Sequence, residues 1–187
     1  MKTIKFHKGE CGVEFLINVL TQKETDYTHG GTYHKGFFEI LFFKKAKGRL
    51  RLSQEVIDLT DNNIIFISAF QKHTWELDPT HLEFTTLIFQ EDFLNEFFAD
   101  KLFTFRLLYF YQLNHTAKIE AEDVHMAKFC ELLTEIKSEL IQTQADSAHI
   151  IRSLLYYLFH TLNRKYASLN RLSSQKAENN FAYQFKK

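Results

Sequence analysis

The stretch Phe37-Phe-Glu-Ile-Leu-Phe-Phe43 decides the fold. It is short, almost wholly apolar and rich in aromatic and β-branched side chains, with one glutamate in its middle. A run of this length and composition is a strand covered on both faces. The segments on either side read the same way. Upstream, Val13, Phe15, Ile17 and Val19 alternate with Glu14, Leu16, Asn18 and Leu20, the period of a half-buried strand. Downstream, Lys45-Ala-Lys-Gly48 is a turn and Arg49 to Leu52 alternates again. Val56 to Leu59, Ile64 to Ile67, His73 to Leu77 and Leu82 to Phe89 complete the series, broken by Asp61-Asn62-Asn63 and Asp78-Pro79. Many short strands separated by turn residues predict a sandwich or barrel.

After Phe89 the period changes. Phe93, Leu94, Phe97 and Phe98 recur at helical spacing behind Glu91 and Asp92, acids that the positive end of a helix favours. Leu102 to Leu113 is aromatic and fits neither pattern. A longer helix is predicted from Glu122, with Met126, Cys130, Leu133, Ile136 and Leu140 as its apolar stripe. A last helix starts at Asp146, a residue type suited to the N-cap, and buries Ile150, Ile151, Leu154, Leu155, Leu158, Phe159 and Leu162. The chain therefore divides into a β-barrel over 1–90, a helical region over 91–167, and a polar tail over 168–187.

Composition excludes several classes. Lysine and arginine balance aspartate and glutamate at 23 each, so the chain lacks the basic excess of a DNA-binding domain. Cys11 and Cys130 are far apart in sequence. They make neither a disulfide framework nor a zinc pattern and fit a reduced, cytoplasmic setting. No apolar run reaches the ~20 residues that span a bilayer, and no signal peptide opens the chain. No Gly-x-Ser-x-Gly elbow or Gly-rich phosphate loop is present, so an enzyme is not expected. His115, His125, His149 and His160 fall in the helical half with no partner that would make them catalytic.

Candidate site residues lie among the strands. His34, Glu39 and His73 are polar residues with apolar neighbours. A tryptophan, Trp75, follows on the same strand as His73, and it reads equally well as core or as a pocket wall. Tyr33, Phe15 and Phe66 are further candidate rings. His34, Glu39 and His73 also form the minimum of a divalent-metal ligand set. The residue two before His34, where such sites carry another histidine, is Thr32, so no metal and no cofactor is expected. A metal-dependent cupin enzyme using those three residues is the alternative.

The run from His34 to Phe43, Gly48, and the run Asn63-Ile-Ile-Phe-Ile-Ser-Ala-Phe-Gln-Lys-His73-Thr-Trp75 together resemble the N-terminal, cupin-like sensor domain of AraC-type transcription regulators. Phe37-Phe38-Glu39-Ile40 and Gln71-Lys-His73 carry the likeness. Ala69 stands where that family often has proline, and Asn62-Asn63 replace a usual glycine. Phe89-Gln-Glu-Asp-Phe-Leu94 resembles the family's exit from barrel to helix. The resemblance implies a mainly β, then α fold, a small jelly-roll barrel followed by a helical hairpin for dimerisation. It also implies a small-molecule effector near His34, Glu39, His73 and Trp75, and a homodimer seam along Met126, Cys130, Leu133, Ile136 and Leu140. Promoter DNA would be read only by a C-terminal helix-turn-helix domain. Residues 180–187 resemble the start of that domain, whose remainder is missing from this chain.

Overall fold

The computed structural model describes residues 7–8, 14–25, 32–33, 35–111 and 115–172, with only the backbone of His7, Lys8, Glu14, Thr32 and Tyr33. Cys11, His34 and the 173–187 part of the tail lie outside the described residues. The strands are β1 (His7–Lys8), β2 (Glu14–Phe15), β3 (Ile17–Thr21), β4 (Thr32–Tyr33), β5 (Phe38–Lys45), β6 (Gly48–Leu52), β7 (Glu55–Leu59), β8 (Asn63–Ile67), β9 (His73–Leu77) and β10 (Glu83–Phe89). Helix α1 (Glu91–Phe97), the short helix α2 (Leu108–Tyr111), strand β11 (Lys118–Glu120) and the long helices α3 (Asp123–Ile141) and α4 (Ser147–Leu169) follow.

Two antiparallel sheets carry the architecture. One has the order β11-β8-β5-β10-β3 and the other β4-β9-β6-β7; β1 and β2 form a small separate pair. The fold is mainly β followed by helices, a cupin-like barrel with a helical hairpin. Strand β5 sits at the centre of the larger sheet, which explains its unbroken apolar run. Its even-numbered residues Phe38, Ile40 and Phe42 face the helices. Its odd-numbered residues Leu41 and Phe43 face the smaller sheet. The molecule thus has two cores, one inside the barrel and one between barrel and helices.

Turns follow their residue chemistry. Asn62 takes a left-handed conformation, φ 58°, which asparagine tolerates. Gly48 adopts φ 145°, and a Cβ there would meet Glu76 O at 2.1 Å. Here the backbone of β6 and its partner β9 approach too closely for any side chain.

The region Leu102 to Leu113 contains a 3-10 turn (Thr104–Arg106) and α2. Its rings fill the space beneath α4: Tyr109 stacks on Phe66 at 4.1 Å, and Phe110 lies 4.7 Å from Phe38. Strand β11 lies within the 91–167 stretch yet pairs with β8. Three residues are too few to show a period. Asp146 stands at the N-cap of α4, but its side chain makes no capping hydrogen bond; the Ser147 hydroxyl accepts the Gln144 amide of the preceding turn at 2.8 Å.

The stripe on α3 corrects an expectation. Met126, Leu133, Ile136 and Leu140 are buried within the chain, and Cys130 is half-buried. The stripe packs on β3, β5, β10 and α4, with Phe129 5.9 Å from Phe42. These residues form the intramolecular core and are not available as a dimer seam. A helix lying on a sheet needs one buried face, and this is it.

Candidate functional site

Strand register sorts the barrel interior into layers. In the larger sheet Asn18 pairs with Ile88, Ile88 with Glu39, and Glu39 with Ile67. In the smaller sheet Tyr33 pairs with His73, and His73 with Leu52. The side chains of Glu39 and His73 meet between the sheets, with His73 Nε2 3.9 Å from Glu39 Oε2 and neither side chain exposed. The next layers hold Leu41, Leu50, Ile57, Ile65, Trp75, Phe43 and Phe84 and are almost wholly apolar. One end of the barrel is therefore polar and the rest is hydrocarbon.

Lys35 completes the polar end. It lies in the segment leading into β5, and its ammonium donates to Glu39 Oε1 at 2.8 Å. Only 13% of the Lys35 side chain is exposed. Burial pushes the Lys35 pKa down, and the Glu39 carboxylate pulls it back up. His73 is also pushed down, first by burial; the Gln71 carbonyl and Glu39 act in the opposite direction, and Lys35 adds to the lowering. The Nδ1 of His73 lies 3.0 Å from Gln71 O. A carbonyl only accepts, so Nδ1 carries the ring proton and Nε2 turns its lone pair toward Glu39.

Two further polar groups sit in this part of the barrel. Asn18 is 6% exposed and accepts the Val19 amide at 2.8 Å. Thr86 is fully buried, and its hydroxyl meets no partner among the described residues. An unsatisfied buried hydroxyl costs about 1–3 kcal/mol, so a group that reaches it is favoured.

The sequence-based candidates separate. Glu39 and His73 lie together, 3.9 Å apart. Trp75 lines the same interior, its ring 5.9 Å from His73 and 5.7 Å from Phe43. Tyr33 pairs with His73 through its backbone. His34 lies outside the described residues. Phe15 and Phe66 are not in the barrel. Phe15 packs edge-on against Phe93 and Phe97 of α1, and Phe66 lies against Tyr109 and Tyr166. Both have the strand parity of the helix-facing side, which an aromatic count cannot reveal.

Lys35, Asn18 and Thr86 were missed. For Asn18 and Thr86 the signal was a polar residue at an otherwise apolar strand position. Lys35 gave no signal. Among the described residues no group of three or more His, Cys, Asp or Glu is placed to hold a metal. The Lys35 ammonium already stands where a cation would neutralise Glu39, and it would repel a divalent ion beside it.

Comparison with known proteins gives one family. A family model described as the AraC-like ligand binding domain matches residues 16–159. No curated protein sequence matches the chain. Among solved structures, the chain is similar to ToxT of Vibrio cholerae bound to (E)-4-(8-methylnaphthalen-1-yl)but-3-enoic acid. Identity is 14%, coverage 81% of this chain and 57% of that one, and the TM-score 0.46. The AraC-like transcriptional activator CuxR gives 10% identity, 73% and 51% coverage, and a TM-score of 0.42. A protein of Thermotoga maritima described as a predicted oxalate decarboxylase gives 22% identity, 32% and 54% coverage, and a TM-score of 0.28. The chain spans little more than half the length of these three proteins.

Proposed function

The chain belongs to the AraC-like ligand binding domains, and from that membership we propose that it senses a small-molecule effector for a transcription regulator. The effector binds at the polar end of the barrel, against Lys35, Glu39, His73 and Thr86, with Trp75 beneath. One observation carries this reading: the 2.8 Å ion pair between Lys35 and a fully buried Glu39 inside an otherwise apolar interior. Such a pair adds little to stability, and well-packed apolar residues often replace it without loss. A buried lysine whose proton affinity is lowered by that burial, as at Lys35, is instead a mark of functional sites.

Binding rather than catalysis is the role these groups fit. The carboxylate is held by Lys35 and the His73 proton is committed to Gln71. Promoter DNA is read by a separate C-terminal domain. A homodimer would use the outward faces of the helices, where Ile150 and Tyr157 are exposed, because the α3 stripe is consumed within the chain. No helix among the described residues is long and apolar enough to cross a membrane.

The test is a thermal-shift panel of metabolites on the chain and on Glu39→Gln and His73→Gln. A metabolite that raises the melting temperature of the wild type, and raises it less in both variants, supports the site. Equal shifts in all three proteins refute this location. Elemental analysis of the same preparations separates the cupin-enzyme alternative: a stoichiometric transition metal, lost in His73→Gln, would favour it over the sensor.

A further inference from the structure

The cation at the polar end is a lysine, where an arginine would make the stronger pair. A guanidinium offers a carboxylate two parallel hydrogen bonds and keeps its charge. An ammonium is a point charge that can lose a proton and become a nucleophile. Here it makes one contact, 2.8 Å from Lys35 Nζ to Glu39 Oε1. Burial sets Lys35 apart from the other described lysines that pair with carboxylates. Its side chain is 13% exposed, against 21% for Lys118 and 24% for Lys137, while Lys44 and Lys45 are open to solvent. The amine is enclosed, yet a small molecule can still reach it.

On the reading that the effector binds at this end of the barrel, we propose that Lys35 is an imine-forming lysine and that the effector is an aldehyde or ketone, held by a reversible covalent bond to Nζ. The surroundings suit that chemistry. The barrel behind the polar end is hydrocarbon, and desolvation favours the neutral, nucleophilic amine. Burial accordingly lowers the Lys35 pKa, with Glu39 opposing it. The Glu39 carboxylate stands at hydrogen-bond distance, placed to take the ammonium proton and to return it. Thr86, whose buried hydroxyl has no partner among the described residues, offers a hydrogen bond to the rest of the effector.

The step balances within the site. Lys35 passes a proton to Glu39, and the neutral amine adds to the carbonyl carbon. The N–C bond forms as the C=O π pair moves to oxygen, and one N–H proton follows it to give a carbinolamine. The C–O bond then breaks, the hydroxyl leaves as water with the proton held by Glu39, and the nitrogen lone pair closes the C=N bond. Carbonyl compound and ammonium have become iminium and water, with no oxidant or reductant consumed. The iminium cation faces the Glu39 carboxylate as the ammonium did, so neither buried charge is stranded. Water reverses the sequence, and the site binds without turnover.

Reductive trapping on the wild-type chain tests this. Propanal, a small uncharged aldehyde, is added near neutral pH with cyanoborohydride, which reduces an iminium to a stable secondary amine. Peptide mass spectrometry then maps the N-propyl lysines. Lys35 should be labelled roughly tenfold faster or more than Lys44 and Lys45, and its labelling should persist to lower pH than theirs. Labelling of Lys35 no faster than of those two, or only after denaturant is added, would overturn the proposal. The metabolite panel keeps it distinct from the sensor reading. A compound without a carbonyl group whose thermal shift depends on Glu39 and His73 would leave the sensor standing and remove the imine. Preferential labelling of Lys35 supports the reactive lysine even where no metabolite in the panel shifts the melting temperature.

Discussion

Lys35 and Glu39 set the residue-scale energetics of the polar end. The carboxylate is fully buried and its ammonium partner nearly so, so removing one partner strands a charge while removing both does not. Lys35→Met should cost about 3 kcal/mol, and Lys35→Met combined with Glu39→Gln should recover most of it. Urea melts of the four proteins of this cycle check the point; additive losses would mean that the two groups do not act as a pair. His73 adds a pH dependence whose sign is fixed by burial. Its pKa in the folded chain lies below the ordinary 6.5. As pH falls through 6.5 the unfolded chain takes up a proton that the folded chain refuses, and stability drops until the folded pKa is reached. Between pH 7 and 5 the wild type should lose stability faster than His73→Gln. Parallel curves would show that His73 titrates as it does in water.

At the scale of elements, strand parity and helix facing decide which sequence signals could be read. Alternation revealed the strands, and the continuous run at β5 revealed that both its faces are covered. The run does not say which core each face enters. That depends on partners far away in sequence, and Phe15 and Phe66 were misplaced for this reason. The α3 stripe was equally visible, but a stripe marks a buried face without saying what covers it. Glu39 and His73 were legible because a lone charged or titratable group in apolar strands needs a reason; Lys35 was not, because it precedes its strand in a segment without a period. Leu133→Ala tests the corrected role of α3. With Leu133 1% exposed inside the chain, the loss should be about 2–5 kcal/mol. Sedimentation should find the oligomeric state of the folded variant unaltered, whereas a dimer seam would dissociate. Gly48→Ala tests the β6–β9 approach. A Cβ 2.1 Å from Glu76 O forces the strands apart, and a loss of about 3 kcal/mol or more in denaturant melts is expected. A near-neutral result would mean that the turn relaxes freely. A smaller link ties the N-terminal part to α3. Burial disfavours the charge on Glu24, yet hydrogen bonds from Lys137 and Thr21 outweigh it and hold the carboxyl at about 2. That link should persist at neutral pH and fail only as pH falls from 4.5 toward 2.

Across the whole molecule, the larger sheet is shared property. Strand β5 gives Phe38, Ile40 and Phe42 to the helix-facing core and Leu41 and Phe43 to the barrel core. Strand β8 divides in the same way, with Ile64 and Phe66 on one side and Ile65 and Ile67 on the other. A shift of Glu39 at the polar end therefore moves the backbone of a strand whose next residue, Ile40, lies under the helices. This continuity is a physical route from the barrel interior to α3 and α4, and it makes the two cores one cooperative unit. Trp75, the chain's one tryptophan, sits in the barrel core, while α3 and α4 dominate the helical signal from the other side of the sheet. Fluorescence of Trp75 and circular dichroism at the helical band should thus report a single coincident unfolding transition. Phe129→Ala, which removes a ring packed 5.9 Å from Phe42 on the helix side, should lower stability by about 3–5 kcal/mol. Both probes should move by the same amount, although Trp75 lies in the other core. If the helical signal melts earlier while Trp75 fluorescence holds its wild-type midpoint, the sheet insulates the two cores. A change at the polar end would then have no mechanical path to the helices.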